Sequence, residues 1–556
     1  MTGPVAPRDP EKARAHFYIM RGKEICGLKQ GDGKAVQFIY ESDGRLANSA
    51  QIVGNITDSR ILELLGTVKG FRTLVHSIGV SVEMEHPAEK IEFVFQMYGK
   101  KDLYGGGTNL VATLQGDGME QRICLSDYEW SLDDDVPGQI RFTFDQPERV
   151  GKADVRFYLN DGFTAPEDLT EEKVDLHSEE YYKMVQRSLM NLGNTYRIRK
   201  VIEKARAGKE VTLAFIGGSI TQGAGAVPIH TECYAYKSYQ LFQKRFARNN
   251  NVRFIKAGVG GTPSELGMIR FDRDVLREGE QPDLVVIEFA VNDENTEFFE
   301  ETYEGLVRTT LSDACRPAVM LMNNVRYDDG LNAEEMHLKV AKAYALPMVS
   351  MKETIWPEIE SGRIKNREIT PDDLHPNDAG HALVAKVITT FLEKIYEDRN
   401  NEEEAAFAEG TLPAPITENA YEHSARYQNH NSEPVLAGFV ADLEPQDNIL
   451  EIFRRGWTGS HVGDKITFEI EGTGIAVQYR KSVKQPTPIA KVTVDGREDT
   501  AMVLDGNFKE TWGDCLYIDT VTRHMEPGIH KVEIEIVEAT EQDAVPFYLV
   551  SVIGSC

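Results

Sequence analysis

Long apolar runs are missing from this chain. No eighteen consecutive apolar residues occur, so nothing in it reads as a transmembrane helix. The opening residues, Met-Thr-Gly-Pro-Val-Ala-Pro-Arg-Asp-Pro, lack the apolar stretch of a secretory leader. The expectation is a cytoplasmic protein, or one whose leader has been removed. Cysteine is scarce, with six in 556 residues: Cys26, Cys124, Cys233, Cys315, Cys515 and Cys556. Their scatter, with no Cys-x-x-Cys, argues against a disulfide framework and for reduced buried thiols. No His-Glu-x-x-His and no zinc or calcium motif is present, so neither metal nor cofactor is expected. Bases are in deficit, 61 against 89 acids, for a formal charge of −28. Such a surface repels nucleic acid and anionic membranes and disfavours strongly anionic substrates.

What is present is a set of apolar runs that end in small or polar residues. Val211-Thr-Leu-Ala-Phe-Ile-Gly-Gly-Ser219 reads as a buried strand that delivers a serine to its carboxyl end. Open α/β sheets place their active sites at that end. A phosphate-binding loop is disfavoured, because Ala224-Gly225 stand where Lys-Ser/Thr would be required. Asn251-Val-Arg-Phe-Ile-Lys-Ala-Gly-Val-Gly-Gly261 reads as a second strand closing in a glycine turn. Pro282-Asp-Leu-Val-Val-Ile-Glu-Phe-Ala-Val-Asn292-Asp reads as a third, ending in a polar pair. Asp372-Asp-Leu-His375 then sets an acid three residues before a histidine. These are the parts of an acyl-transfer site: a serine nucleophile, a histidine base, an acid to orient it, and donors for an oxyanion.

Over about residues 180–397 these four blocks, in this order, resemble the SGNH (GDSL-like) hydrolases. The resemblance implies Ser219 as nucleophile, His375 as base and Asp372 as its acid, with Asp373 as competitor. It implies an oxyanion hole of the Ser219 N–H, the Gly261 N–H (Gly260 as alternative) and the Asn292 amide. Three positions depart from the family pattern: Gly218, Lys256 and Ala290 stand where Asp, Asn and Gly are usual. The Gly-Gly-Ser-Ile-Thr variant looks more like bacterial carbohydrate esterases that remove acetyl groups from plant polysaccharide fragments. That resemblance implies an acetylated oligosaccharide, such as a mannan or xylan fragment, as substrate.

Strand and helix patterns alternate from 176 to 397, with strands near 211–216, 252–257, 283–289, 317–323 and 346–350. Helices are predicted near 235–248, 264–277, 300–313, 333–345 and 378–396. This is an α/β pattern; with the resemblance, the expected fold is a flavodoxin-like, five-stranded parallel sheet with helices on both faces. Residues 16–165 and 436–556 instead alternate apolar and polar in short runs, as in Lys90-Ile-Glu-Phe-Val-Phe and Lys465-Ile-Thr-Phe-Glu-Ile. Two flanking β-sandwiches, jelly-roll-like, are expected there. Residues 398–435 read as a linker. Trp457 and Trp512, in turn-like sequence, are candidates to line a glycan site, with packing as the plainer role.

The function expected is a serine esterase that deacetylates oligosaccharides, with self-association left open. Two alternatives stand beside it: another acyl-group enzyme on the same site (lipid esterase, thioesterase or acyltransferase), and a non-catalytic glycan-binding protein on a hydrolase scaffold.

Overall fold

The computed structural model describes residues 13–29, 34–40, 44–101, 104–168, 175, 178–277, 279–397, 409–446, 451–509 and 513–555. The chain forms two compact units, Met1–Glu172 and Lys173–Cys556. The first carries two antiparallel sheets. One orders His16–Cys26, Val150–Leu159, Val75–Met84 and Gln121–Cys124; the other orders Leu28–Lys29, Ala35–Phe38, Asp134–Phe144, Lys90–Gly99 and Asn109–Gln115. Strand alternation puts Ile91, Phe93, Val155 and Phe157 inside, while Lys90 and Glu92 face water. Phe71 closes this core edge-on against Phe95 and Phe157.

The second unit is built on a parallel sheet. Its strands are β1 (Val211–Gly217), β2 (Val252–Gly258), β3 (Leu284–Glu288), β4 (Ala318–Asn323) and β5 (Met348–Ser350), in the spatial order β2-β1-β3-β4-β5. Every residue of β1, β3 and β4 is buried, as uninterrupted apolar runs require when both faces are covered. Side chains of β1 alternate between two cores. Leu213 and Phe215 meet α1 (Tyr234–Phe246) and α5 (Asp378–Glu397). Ala214 and Ile216 meet α2 (Ser264–Ile269), α3 (Glu297–Ser312) and α4 (Glu334–Ala343).

Two expectations need correction. The sheet has six strands, because Leu189–Asn191 pairs antiparallel with β5; three residues are too few to show periodicity. The single helix expected over 264–277 stops at Ile269, and Asp272–Leu276 forms a wider π turn. The intervening Arg270 is fully buried and reaches back to strand-end carbonyls, a tertiary demand that overrides regular helical winding.

Two antiparallel sheets complete the unit. One contains Val435–Ala437, Lys465–Gly472, Gly528–Glu538, Ile489–Val494 and Met502–Asp505. The other contains Val440–Ala441, Trp457–Gly459, Phe547–Ser555, Gly474–Lys481 and Cys515–Thr522, with Ala425–Tyr427 added against Phe547–Ser555. Between them lie Trp457, Phe468, Val477, Val492 and Ile534. Ala476, Leu516, Tyr548 and Val550 of the second sheet join the core of α2 and α3. The stretch expected as a linker is partly a strap. Residues 398–408 lie outside the described residues, but the Ile416 and Thr417 N–H groups donate to Glu304 on α3, and Arg308 binds both Glu422 and the Pro413 carbonyl. Among the described residues no helix is long and apolar enough to cross a membrane.

Candidate active site

Strand register builds the site. Gly217 at the end of β1 sits opposite Gly258 of β2 and Glu288 of β3. Ser219, Gly261 and Asn292 follow these strand ends by two, three and four residues, so their loops converge. Ser219 opens a short helix, Ser219–Gln222. A side chain at 217 would collide with Thr221 and the Glu288 carbonyl; one at 218 would collide with Asn292 Oδ1.

His375 stands over Ser219, with its Nε2 2.9 Å from the serine Oγ. On the other side of the ring, Nδ1 lies 2.7 Å from Asp372 Oδ2. Asp372 Oδ1 accepts the backbone N–H of His375 at 2.8 Å and of Leu374 at 3.1 Å. Burial alone would raise the Asp372 pKa. Hydrogen bonding and charge from His375, with the two backbone donors, outweigh it and hold the carboxyl below its ordinary value. Asp373 points elsewhere: it has φ 68°, and its carboxylate is held by Asn366 and Arg367. The next helix ties the loops together, since Asp378 accepts the Val227 N–H at 2.8 Å.

Gly261 takes φ 69°, a left-handed conformation that favours glycine. Asn292 Oδ1 is buried without a hydrogen-bond partner. Its neighbour Asp293 is fixed by the Ser264 N–H and by His337 Nε2 at 3.0 Å, and the His337 ring stacks on Tyr303 with centroids 3.5 Å apart.

Several supporting residues escaped the sequence reading. Arg270 donates from Nη1 to the Ala257 carbonyl at 2.7 Å and from Nη2 to the Gly217 carbonyl at 2.8 Å, so it clamps the ends of β1 and β2. Its charge is met by Asp274 at 2.8 Å. Lys256, a departure from the family pattern, donates to the carbonyls of Gln222 at 2.8 Å and Ile229 at 3.0 Å. It therefore fastens the loop behind the serine. Beneath that loop Thr221 donates to Glu288 and accepts from Tyr234. Burial pushes Glu288 up to about 7, against the hydrogen bond from Thr221. The only sequence signal for these groups is a charge inside or beside an apolar run, which does not say what it binds.

His381 is wholly buried. Its Nδ1 accepts the Tyr234 N–H and its Nε2 donates to the Ala224 carbonyl, both at 3.1 Å, so it is a structural brace. Trp457 corrects an expectation: it is 1% exposed and packs edge-on against Phe468 between the C-terminal sheets. An indole needed to fill that core cannot also face a ligand. Trp512 lies outside the described residues. Among the described residues no group of three His, Cys, Asp or Glu is placed to hold a metal ion.

Residues 215–383 match the model of the GDSL-like Lipase/Acylhydrolase family. Among solved structures, a two-domain esterase (CEX) active on acetylated mannans, co-crystallised with mannopentaose, is 51% identical with a TM-score of 0.62. The match covers 67% of this chain and 97% of that one. A second crystal structure under the same esterase name is 51% identical with a TM-score of 0.63, covering 67% and 98%. No curated protein matches by sequence.

Proposed function

Because this chain belongs to the GDSL-like lipase/acylhydrolase family, we propose that it is a serine esterase that removes O-acetyl groups from hemicellulose oligosaccharides, acetylated mannans first among them. The observation that carries this reading is the line Asp372–His375–Ser219, with contacts of 2.7 and 2.9 Å. The 51% identity to an esterase active on acetylated mannans supports the substrate class. The parallel-strand order β2-β1-β3-β4-β5 favours reading the sheet as flavodoxin-like.

In the mechanism, Asp372 accepts a hydrogen bond from His375 Nδ1–H, which keeps that proton in place and leaves Nε2 free to accept. As Ser219 Oγ bonds to the acetyl carbonyl carbon, its proton passes to Nε2. The carbonyl oxygen becomes an oxyanion, held by the N–H groups of Ser219 and Gly261 and by the Asn292 amide. With its oxygen end against Gly218, the Asn292 amide has its NH2 end left to donate. The bond from carbon to sugar oxygen then breaks, and Nε2 returns the proton to that oxygen. Water attacks the acetyl-Ser219 ester, gives a proton to His375, and acetate leaves with Ser219 reprotonated. No cofactor takes part in these steps.

The test is acetate release from acetylated manno- and xylo-oligosaccharides, with p-nitrophenyl acetate as a generic ester, wild type beside Ser219→Ala. Release from an acetylated oligosaccharide, lost by about 10⁴ or more in the variant, is expected. Turnover of the generic ester alone would remove the substrate class. No ester turnover by folded wild type would remove the esterase.

A further inference from the structure

A cavity of about 780 Å³ lies in the second unit, walled by the π turn after α2 and by the segment that enters the C-terminal sheets. Ser219, Asn292 and His375 are not among its walls. Its lining is rich in arginine: Arg273, Arg277, Arg426 and Arg455 face it, with His430 beside them.

Among the described residues, four arginines in this wall face two acids, Glu422 and Asp272. Glu422 is engaged by Arg308 at 2.7 Å. Asp274 is shared between the wholly buried Arg270 and Arg273. Asp272 is the remaining acid in the wall; burial raises its pKa while the charge of Arg426 lowers it. Arg273 Nη2 is buried with no hydrogen-bond partner. Burial first, then repulsion from Arg273 and Arg455, pushes Arg426 down to about 10. Burial and the same cluster lower His430. A guanidinium donor buried without an acceptor costs free energy, as do like charges held together. Overall repulsion of anions does not decide the matter, because exposed charges beyond about 8–10 Å are screened at ordinary salt while a cluster lining one cavity acts at contact range.

We propose that this cavity is a binding site for a sugar-sized oxyanion, a carboxylate or phosphate on a small saccharide, received by Arg426 and Arg455 beside Arg273. Planar guanidinium forks suit both oxyanions. The volume falls within the roughly 300–1,000 Å³ of small-molecule pockets.

Titration calorimetry on the full chain tests this with glucuronate, glucose 1-phosphate and, as the neutral control, mannose. Variants are Arg455→Gln and the double variant Arg426→Gln/Arg455→Gln; the single change guards against a fold defect in the double. The expected result is saturable binding of at least one anion, weakened by added salt and reduced about tenfold or more in a folded variant. Turnover of p-nitrophenyl acetate stays within about twofold, since these residues lie outside the reacting site. The stronger ligand identifies the source as a sugar acid or a sugar phosphate. No saturable anion binding by wild type, equal binding of mannose, or undiminished binding by folded Arg455→Gln overturns the proposal.

Discussion

Replacing Asp372 by Asn should be more damaging than replacing it by Ala, and the geometry says why. Asp372 Oδ1 accepts two backbone N–H groups, at 2.8 and 3.1 Å, while Oδ2 faces His375 Nδ1 at 2.7 Å. In the Asp372→Asn variant the one amide oxygen is claimed by the two backbone donors. The NH2 group must then point at Nδ1 and donate to it. An Nδ1 that accepts forces the imidazole proton onto Nε2. That nitrogen would then donate to Ser219 Oγ instead of taking its proton across the 2.9 Å contact. Loss of the correct tautomer in a serine–histidine–acid site costs about 10⁴ in kcat, or about 5 kcal/mol of barrier. Alanine imposes no such tautomer, because water can accept from Nδ1. Asp372→Ala should therefore retain more activity than Asp372→Asn. The assay is kcat for p-nitrophenyl acetate and for an acetylated oligosaccharide, with circular dichroism and Tm to show that both variants fold. An Asn variant within about tenfold of wild type, or one more active than a folded Ala variant, would refute the reasoning.

Two further outcomes follow from burial. Trp457→Ala opens a cavity where a 1%-exposed indole met Phe468 and should cost about 3–5 kcal/mol, read as a lower Tm of the C-terminal sheets. Oligosaccharide KM in the folded fraction should stay unchanged; a raised KM at unchanged Tm would restore Trp457 to a binding role. His381 is held neutral by burial, its pKa lowered from 6.5 to about 3 although the Ala224 carbonyl opposes the shift. The unfolded chain therefore binds the extra proton first. The stability from this group is complete above pH 6.5 and is lost as pH falls toward about 3, at up to roughly 1.4 kcal/mol per pH unit. Denaturation midpoints of wild type should fall on acidification more steeply than those of His381→Gln; parallel slopes would exclude His381 as the source.

The strand-end reading reached Ser219, Asn292 and His375 because the signals are local. An apolar run buried on both faces, followed at once by a small or polar residue, marks the carboxyl end of a parallel strand with little help from context. The acid–histidine spacing is local too, since the loop from Asp372 to His375 closes on itself through backbone hydrogen bonds. Long-range pairings left no such trace. Arg270 reaches strand ends 13 and 53 residues away, and its arginine looks like any other in a helical pattern. Trp457 sat in a Gly-rich, turn-like sequence that suggested exposure, and the facing sheet decided otherwise. The residues after 408 have a linker's composition, and only the docking of Glu304, Arg308 and Glu422 makes them a strap. Sequence by itself therefore determined the candidates: a serine and an asparagine just past buried apolar runs, a histidine with an acid three residues before it, and an α/β sheet to present them. Tertiary structure alone decided what holds the strand ends in register, which tryptophan is core, and where positive charge collects. Those outcomes depend on distance between groups far apart in the chain, and periodicity along a sequence carries no record of it.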